Sequence, residues 1–320
     1  WTDGLPDSGL IIDNEGDLFG TSAGGPDDLS NVFELTLGAG GWSFSVLYSL
    51  GGGDLVSDGL GDIYGYLGPG QYKAGAVAEL SPGSSGWDYT QLYSFGGDGG
   101  GDGFGPSPAA PPNWDNRGNL YGTTLYGGNS ESSGHKKFCL QGLGCGVAFR
   151  MVPNGNGTWT YHVLHRFAET KNDGQTPDGG VAVDASGGAY GVTAYGGVYG
   201  NGTIFKFTPS GGHWKQTVLY DFPKCSEGCF PGGTMVFDKA GKLYGAASGG
   251  LANCQGYACG VIFKLTPQAG GKWKYSVVHK FEGTDGGFPY GVILDDKGNL
   301  YGTTQAFGAY GFGVAFEITP

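Results

Sequence analysis

The 320-residue chain carries a formal net charge of −12, and its 17 Lys and Arg residues are scattered, which excludes a phosphate-binding surface and with it nucleic-acid recognition. No run approaches the roughly 20 apolar residues that span a bilayer. Gly (69) and Pro (16) exceed a quarter of the composition, as in disordered chains, but 14% aromatic residues in regular runs supply burial that offsets chain entropy.

One phrase, Asp-x-x-Gly-x-apolar-aromatic-Gly, organises the chain. It begins at Asp13, Asp58, Asp115, Asp184, Asp238 and Asp295, at spacings of 45, 57, 69, 54 and 57 residues. Self-similarity at that period means stacked units, none able to bury its apolar faces alone. The units are expected over residues 9–50, 55–95, 109–167, 180–222, 233–281 and 291–320, as one domain covering 1–320.

Within a unit, a short apolar run ending at the Asp is strand a, as in Gly291 to Asp295. The Asp and Gly of the phrase close a tight turn, and the segment after it, as in Asn299 to Thr304, is strand b. A loop of variable length leads to strand c, a Gly-x-x-Phe alternation that ends at Pro in Gly146 to Pro153, Gly202 to Pro209 and Gly260 to Pro267. A Trp then leads strand d, at Trp42, Trp87, Trp159, Trp214 and Trp273. Four antiparallel strands per unit make a propeller blade, so the fold is expected to be an all-β, six-bladed β-propeller. Only five Trp-led strands exist, so the last blade lacks its outer strand. Its free edge is expected to accept a strand from another chain or from a terminal segment. No signal peptide precedes Trp1, as expected of a mature form.

The unit GNLYGTT, a Gly-Gly loop, GxxFKLTP, a Trp-led VLYSF strand and DGxxP resembles the GloVer-type extracellular tandem repeat of bacterial surface proteins. Its strand order is similar to that of NHL-type and senescence-marker-protein-type propellers. The resemblance covers nearly the whole chain, is weakest in blade two, and implies a secreted or surface-anchored propeller. It carries no catalytic motif.

Loop length varies on one rim only, that of the b-to-c and d-to-a loops, where the third unit inserts 22 residues between Thr124 and Val147. Insertions gathered on one face mark the binding face of a repeat scaffold. The six cysteines fall there as three close pairs, Cys139 with Cys145, Cys225 with Cys229 and Cys254 with Cys259. They read as disulfide staples of an oxidising compartment. Zinc ligation is the alternative, without the C-x-x-C spacing or adjacent histidines it favours.

The same rim is rich in aromatic residues outside the strand pattern, Tyr290 and Phe312 among them. Tyr126, Tyr195, Tyr199, Phe230, Tyr257, Phe288, Phe307 and Tyr310 are the candidate ligand-binding residues, because flat rings beside carboxylates suit sugar faces. Acids recur in a Gly-x-Pro setting at Asp3, Asp102, Asp173, Glu227 and Asp285, and recurrence favours turn capping over catalysis. Calcium is the alternative for this set, with Asp98 and Asp102 as the best local cation candidates. His165 and His279 fill slots held by Tyr48, Tyr93 and Tyr220 elsewhere, and so read as packing residues. His135 and Glu131, in the long insertion, are the weak catalytic candidates. No cofactor is otherwise indicated.

These readings point to recognition of an extracellular polysaccharide or other surface macromolecule by the loop rim. The alternatives are a carbohydrate-active hydrolase or lyase using acids there, and a structural subunit of an extracellular assembly.

Overall fold

The computed structural model describes residues 5–6, 8–23, 30–49, 52–97, 103–106, 110–128, 139, 144–170, 172–250, 254 and 258–319. They form six antiparallel blades in chain order, arranged as a propeller, with a separate two-stranded sheet, Gly174–Gln175 with Tyr195–Gly196, beside blade four. Blade five shows the unit whole, with strand a at Cys229–Phe237, b at Leu243–Gly249, c at Val261–Pro267 and d at Trp273–Lys280. In blades one, three and six strand a is split in two, both parts pairing with strand b, whereas in blade four only the second part, Ala182–Val183, pairs with strand b at Ala189–Thr193. In blade six the parts are Gly287–Pro289 and Ile293–Leu294, followed by b at Leu300–Ala306 and c at Ala315–Ile318. Beyond that c strand no outer strand is present among the described residues. The Pro of strand c stops the strand in blades three and five, but in blades two and four it runs one residue past Pro82 and Pro209.

The Asp of the repeated phrase caps its turn in every blade. Its Oδ1 accepts the backbone N–H groups two and four residues on, at 2.7–3.2 Å, from Glu15 and Asp17 in blade one to Lys297 and Asn299 in blade six. This is the Asx-turn geometry that makes Asp the residue of choice there. At Asp184 burial opposes ionisation, yet bonds from the Ser186 hydroxyl, the Gly188 N–H and the Tyr190 hydroxyl, with Lys206 alongside, hold the carboxyl down to about 2.

Each c–d hairpin carries a β-bulge at the same place, leaving Leu47, Leu92, Leu164, Leu219 or Val278 as the extra residue. The extra residue breaks strict alternation. Two consecutive side chains of strand d, such as Leu47 and Tyr48, therefore both pack toward the next blade.

Five apolar cores join consecutive blades. Between blades four and five, for example, Tyr190, Ile204 and Phe222 meet Met235, Val261, Phe263 and Leu265, and four similar clusters join the other neighbours. Each blade thus has a back face toward its predecessor and a front face toward its successor. Among the described residues no such core joins blade six to blade one. On the back face of blade one Leu10, Ile12, Leu37, Trp42, Phe44 and Val46 are exposed, as is Ile293 on the front face of blade six. The c strand of blade six is not wholly solvated, since Phe316 and Ile318 pack on blade five.

Candidate functional site

The loop rim is built on a rivet between blades. Where the chain leaves strand d it runs through an acidic residue and Gly to an x-Pro pair that begins strand a: Thr176-Pro177, Phe230-Pro231 and Phe288-Pro289. The residue before Pro is barred from the helical region, and in all three it adopts a left-handed conformation, at φ 55°, 54° and 59°. Its N–H donates to a carbonyl of the preceding blade: Thr176 to Cys145 (2.9 Å), Phe230 to Asn201 (3.0 Å) and Phe288 to Cys259 (2.8 Å). The Pro ring seats on the Gly that opens the preceding strand c, and together with a strand b carbonyl (Thr124, Thr193 or Ala247) it leaves no room for a Cβ at Gly146, Gly202 or Gly260. A left-handed non-Gly residue costs about 1–2 kcal/mol, which the hydrogen bond and the seated ring offset.

The rivet turns its aromatic side chains onto the rim. Phe230 lies against Tyr195 of blade four (centroids 5.4 Å apart), and Phe288 against Phe307 (5.6 Å), itself left-handed at φ 66°. Tyr195 and Phe307 are half-buried, Phe230 is at the edge of exposure, and Tyr199 and Tyr310 are exposed. Tyr126 is half-buried at the end of its strand, opposite Phe104. The sequence candidates therefore separate into two ring pairs and isolated rings. Tyr257, Glu131, His135, Asp98, Asp102 and Asp3 lie outside the described residues.

Disulfides close all three cysteine pairs, with Cα separations of 4.9, 4.7 and 5.5 Å. Of the recurring acids, Asp173 and Asp285 serve as pins. Each accepts a backbone N–H, from Gly174 and Glu282 respectively, and each lies 2.8 Å from a histidine Nε2, His165 or His279. The two histidines are thus hydrogen-bonded members of the rim as well as packing residues. Among the described residues no three His, Cys, Asp or Glu side chains gather as a metal would require.

Toward the centre, the segments following the x-Pro pair converge. The backbones of Gly179, Gly233 and Gly291 touch closely enough that a Cβ on Gly179 or Gly233 would collide with the next. Over this contact Tyr290 of blade six reaches Asp178 of blade four, its hydroxyl 3.0 Å from both the carbonyl and Oδ1 of Asp178, to one of which it donates. Burial pushes the Asp178 carboxyl up, with the Tyr290 bond opposing. Burial, with the Asp178 charge, its bond and more distantly Asp54, pushes the Tyr290 hydroxyl far up as well. Asp54 Oδ1 in turn accepts the Gly9 N–H at 2.6 Å. Residues of blades four and six therefore meet at the inner mouth of the loop rim, with the Asp54 charge of blade two near enough to be felt there. Sequence reasoning counted Tyr290 among the rim aromatics but missed Asp178 and the pairing of the two, although the residue after the Pro differs between units (Asp178, Gly232, Tyr290) where its neighbours repeat. A carboxyl that burial makes harder to ionise, beside a phenol that stays neutral, offers hydrogen-bonding groups to a ligand, and a second acid nearby disfavours anions.

The profile of the Gloeobacter/Verrucomicrobia repeat matches residues 140–320, more than half of the chain. The chain belongs to that repeat family. No curated protein matches the sequence. The fold is similar to that of a putative oxidoreductase (glucose dehydrogenase) from Thermus thermophilus, with TM-score 0.54 and 17% identity over 98% of this chain and 97% of the other. It is also similar to a putative 6-phosphogluconolactonase from Bacteroides uniformis (TM-score 0.55, 12% identity, 98% and 85% covered). The β-propeller domain of the Trilobed protease from Pyrococcus furiosus, described as having an open velcro topology, is a further match (TM-score 0.52, 9% identity, 97% and 78% covered). At such identities the likeness is one of fold. The repeat family accounts for the alike blades, and the departures from the repeat are where this chain's own role is to be sought.

Proposed function

We propose that the loop rim binds a neutral glycan, with the ring pairs Tyr195–Phe230 and Phe288–Phe307 as stacking platforms and the Asp178–Tyr290 mouth as the hydrogen-bonding centre. One observation carries this reading. The rivet uses only the N–H of Phe230 and Phe288, and Gly would supply that N–H without left-handed strain, so the rings themselves account for Phe at both positions. Aromatic faces beside hydroxyl-bonding groups are what sugars stack upon. The chain charge of −12 disfavours uronate-rich or phosphorylated polymers. Three disulfides agree with a secreted or surface-displayed protein.

The test is a screen of neutral and acidic polysaccharides followed by calorimetric titration of the best hit. Phe230→Ala and Phe288→Ala are each expected to weaken binding about tenfold, the loss of one ring contact, while melting temperatures hold. Unchanged affinity in both variants would refute the assignment.

A second reading rests on the raised Asp178 carboxyl. A carboxyl whose pKa is raised by burial in a mouth is shifted in the direction that general-acid work in a hydrolase or lyase needs. It requires reducing-end release that disappears in Asp178→Asn while binding persists.

A further inference from the structure

Successive outer strands meet across the blades through one repeated contact. The seventh residue of each Trp-led strand faces the third residue of the next. Tyr48 stacks on Tyr89 with centroids 5.1 Å apart, Tyr93 on Tyr161 at 4.0 Å, and Tyr220 on Tyr275 at 4.1 Å, all within 10° of parallel.

Blade three departs from this rule in both partners. Its seventh residue is His165, and the third residue of the next strand is Gln216. Asp173 joins them, with Oδ2 2.8 Å from His165 Nε2 and Oδ1 accepting from Gln216 Nε2 at 3.1 Å. The carboxylate side chain is 2% exposed and the histidine 16%. Tyr with Tyr, and His–Asp with Gln, are therefore the two solutions this chain uses at one interface.

Blade five repeats the first two members of the second solution. His279 Nε2 lies 2.8 Å from Asp285 Oδ2, but the side chains are 36% and 40% exposed. The third member is missing because nothing among the described residues pairs with the outer edge of Ala315–Ile318.

We propose that this edge binds, in antiparallel register, a Trp-led strand whose third residue is Gln, supplied by a further unit of the same repeat. His279 and Asp285 are the device that selects the Gln. The interface is continuous with the four already built, and its register follows from blade four, where Phe207 faces Gln216, Lys206 faces Thr217 and Phe205 faces Val218. On blade six Ile318, Glu317 and Phe316 take those places. A second copy of this chain in the same fold has no strand to give, since all five of its Trp-led strands are paired within their own blades. Backbone hydrogen bonds would supply affinity and alternate side chains specificity, as in other strand additions. The proposal is independent of what the loop rim binds.

A fluorescent peptide with the sequence of residues 213–223 of this chain, titrated into the intact protein, tests it by anisotropy. Saturable binding is expected, about tenfold weaker for the same peptide carrying Gln216→Leu, which removes a donor to a carboxylate. In the protein variant Asp285→Ala the two peptides are expected to bind alike. Register is checked by crosslinking, where Glu317→Cys in the protein is expected to form a disulfide with Thr217→Cys in the peptide. Failure of the wild-type protein to bind the peptide saturably, or equal binding of the Gln and Leu peptides to it, would overturn the proposal.

Discussion

Leu10 and Met235 occupy the same position in their units, three residues before the turn-capping Asp, yet Met235 is 2% exposed against blade four while Leu10 is 54% exposed on the back face of blade one. Truncating Met235 to Ala removes a side chain from a closed core and is expected to cost about 2–5 kcal/mol. Fully burying a Leu is worth about 1.5–3 kcal/mol, so a half-exposed Leu10 is expected to lose about 1 kcal/mol on truncation. Urea denaturation followed by tryptophan fluorescence would read the two variants side by side, with Met235→Ala shifting the midpoint at least twice as far as Leu10→Ala. A sharper version uses Asp. Leu10→Asp leaves the charge in water and is expected to fold, whereas Met235→Asp buries an unpaired carboxylate and is expected to unfold the protein. Equal losses in the Ala pair, or a Leu10→Asp variant as damaged as Met235→Asp, would show that the back face of blade one is covered in solution.

The rivet gives a second paired comparison: Gly260→Ala places a Cβ 2.4 Å from Pro289 Cδ at φ 91°, while Gly270→Ala meets nothing within 4 Å at φ 73°. Both pay the left-handed cost of about 1–2 kcal/mol, so the excess measured for Gly260→Ala is the close packing of Pro289 and the Ala247 carbonyl on that Gly, and no excess would deny the rivet. Asp178→Asn is expected to change the pH dependence of stability. A carboxyl whose folded pKa is raised contributes fully below its unfolded value of about 3.9 and loses that contribution as pH rises through the folded value. Urea midpoints at pH 4, 5.5 and 7 should therefore show the Asn variant gaining on the parent as pH rises, and a flat or shrinking gap would contradict the burial argument. Closing loops of sequence separation 4 to 6, each disulfide is worth about 2 kcal/mol by chain entropy. Mild reduction is expected to lower the melting temperature by several degrees while leaving the far-ultraviolet spectrum intact, and loss of that spectrum would mean the staples hold the blades as well as the loops.

The blades were legible because their causes are local. Asp caps its own turn two and four residues on, the Trp-led strand pairs with the strand just before it, and each cysteine finds its partner within six residues. What the sequence concealed depends on contacts between units. The bulge that lets Leu47 and Tyr48 both face blade two is a property of a hairpin under twist, and strict alternation cannot express it. Tyr290 and Asp178 are 112 residues apart and meet only because blades four and six share the inner mouth.

The histidines show how the internal comparison has to be made. Compared slot by slot, His165 and His279 are substitutes for Tyr48, Tyr93 and Tyr220, and nothing in that column says more. Compared as pairs, the seventh residue of one outer strand with the third of the next, Tyr always accompanies Tyr and His165 accompanies Gln216. A ring stacked in parallel and an amide donating to a shared carboxylate are different chemistries, and neither half works with the other's partner. Where the outer strands meet, each unit contacts only its neighbours, so each of these interfaces is a separate trial of the same problem, and covariation between adjacent units carries contact information within one chain. His279, with its aspartate in place and no third residue opposite it among the described residues, is the interface to which that information has still to be applied.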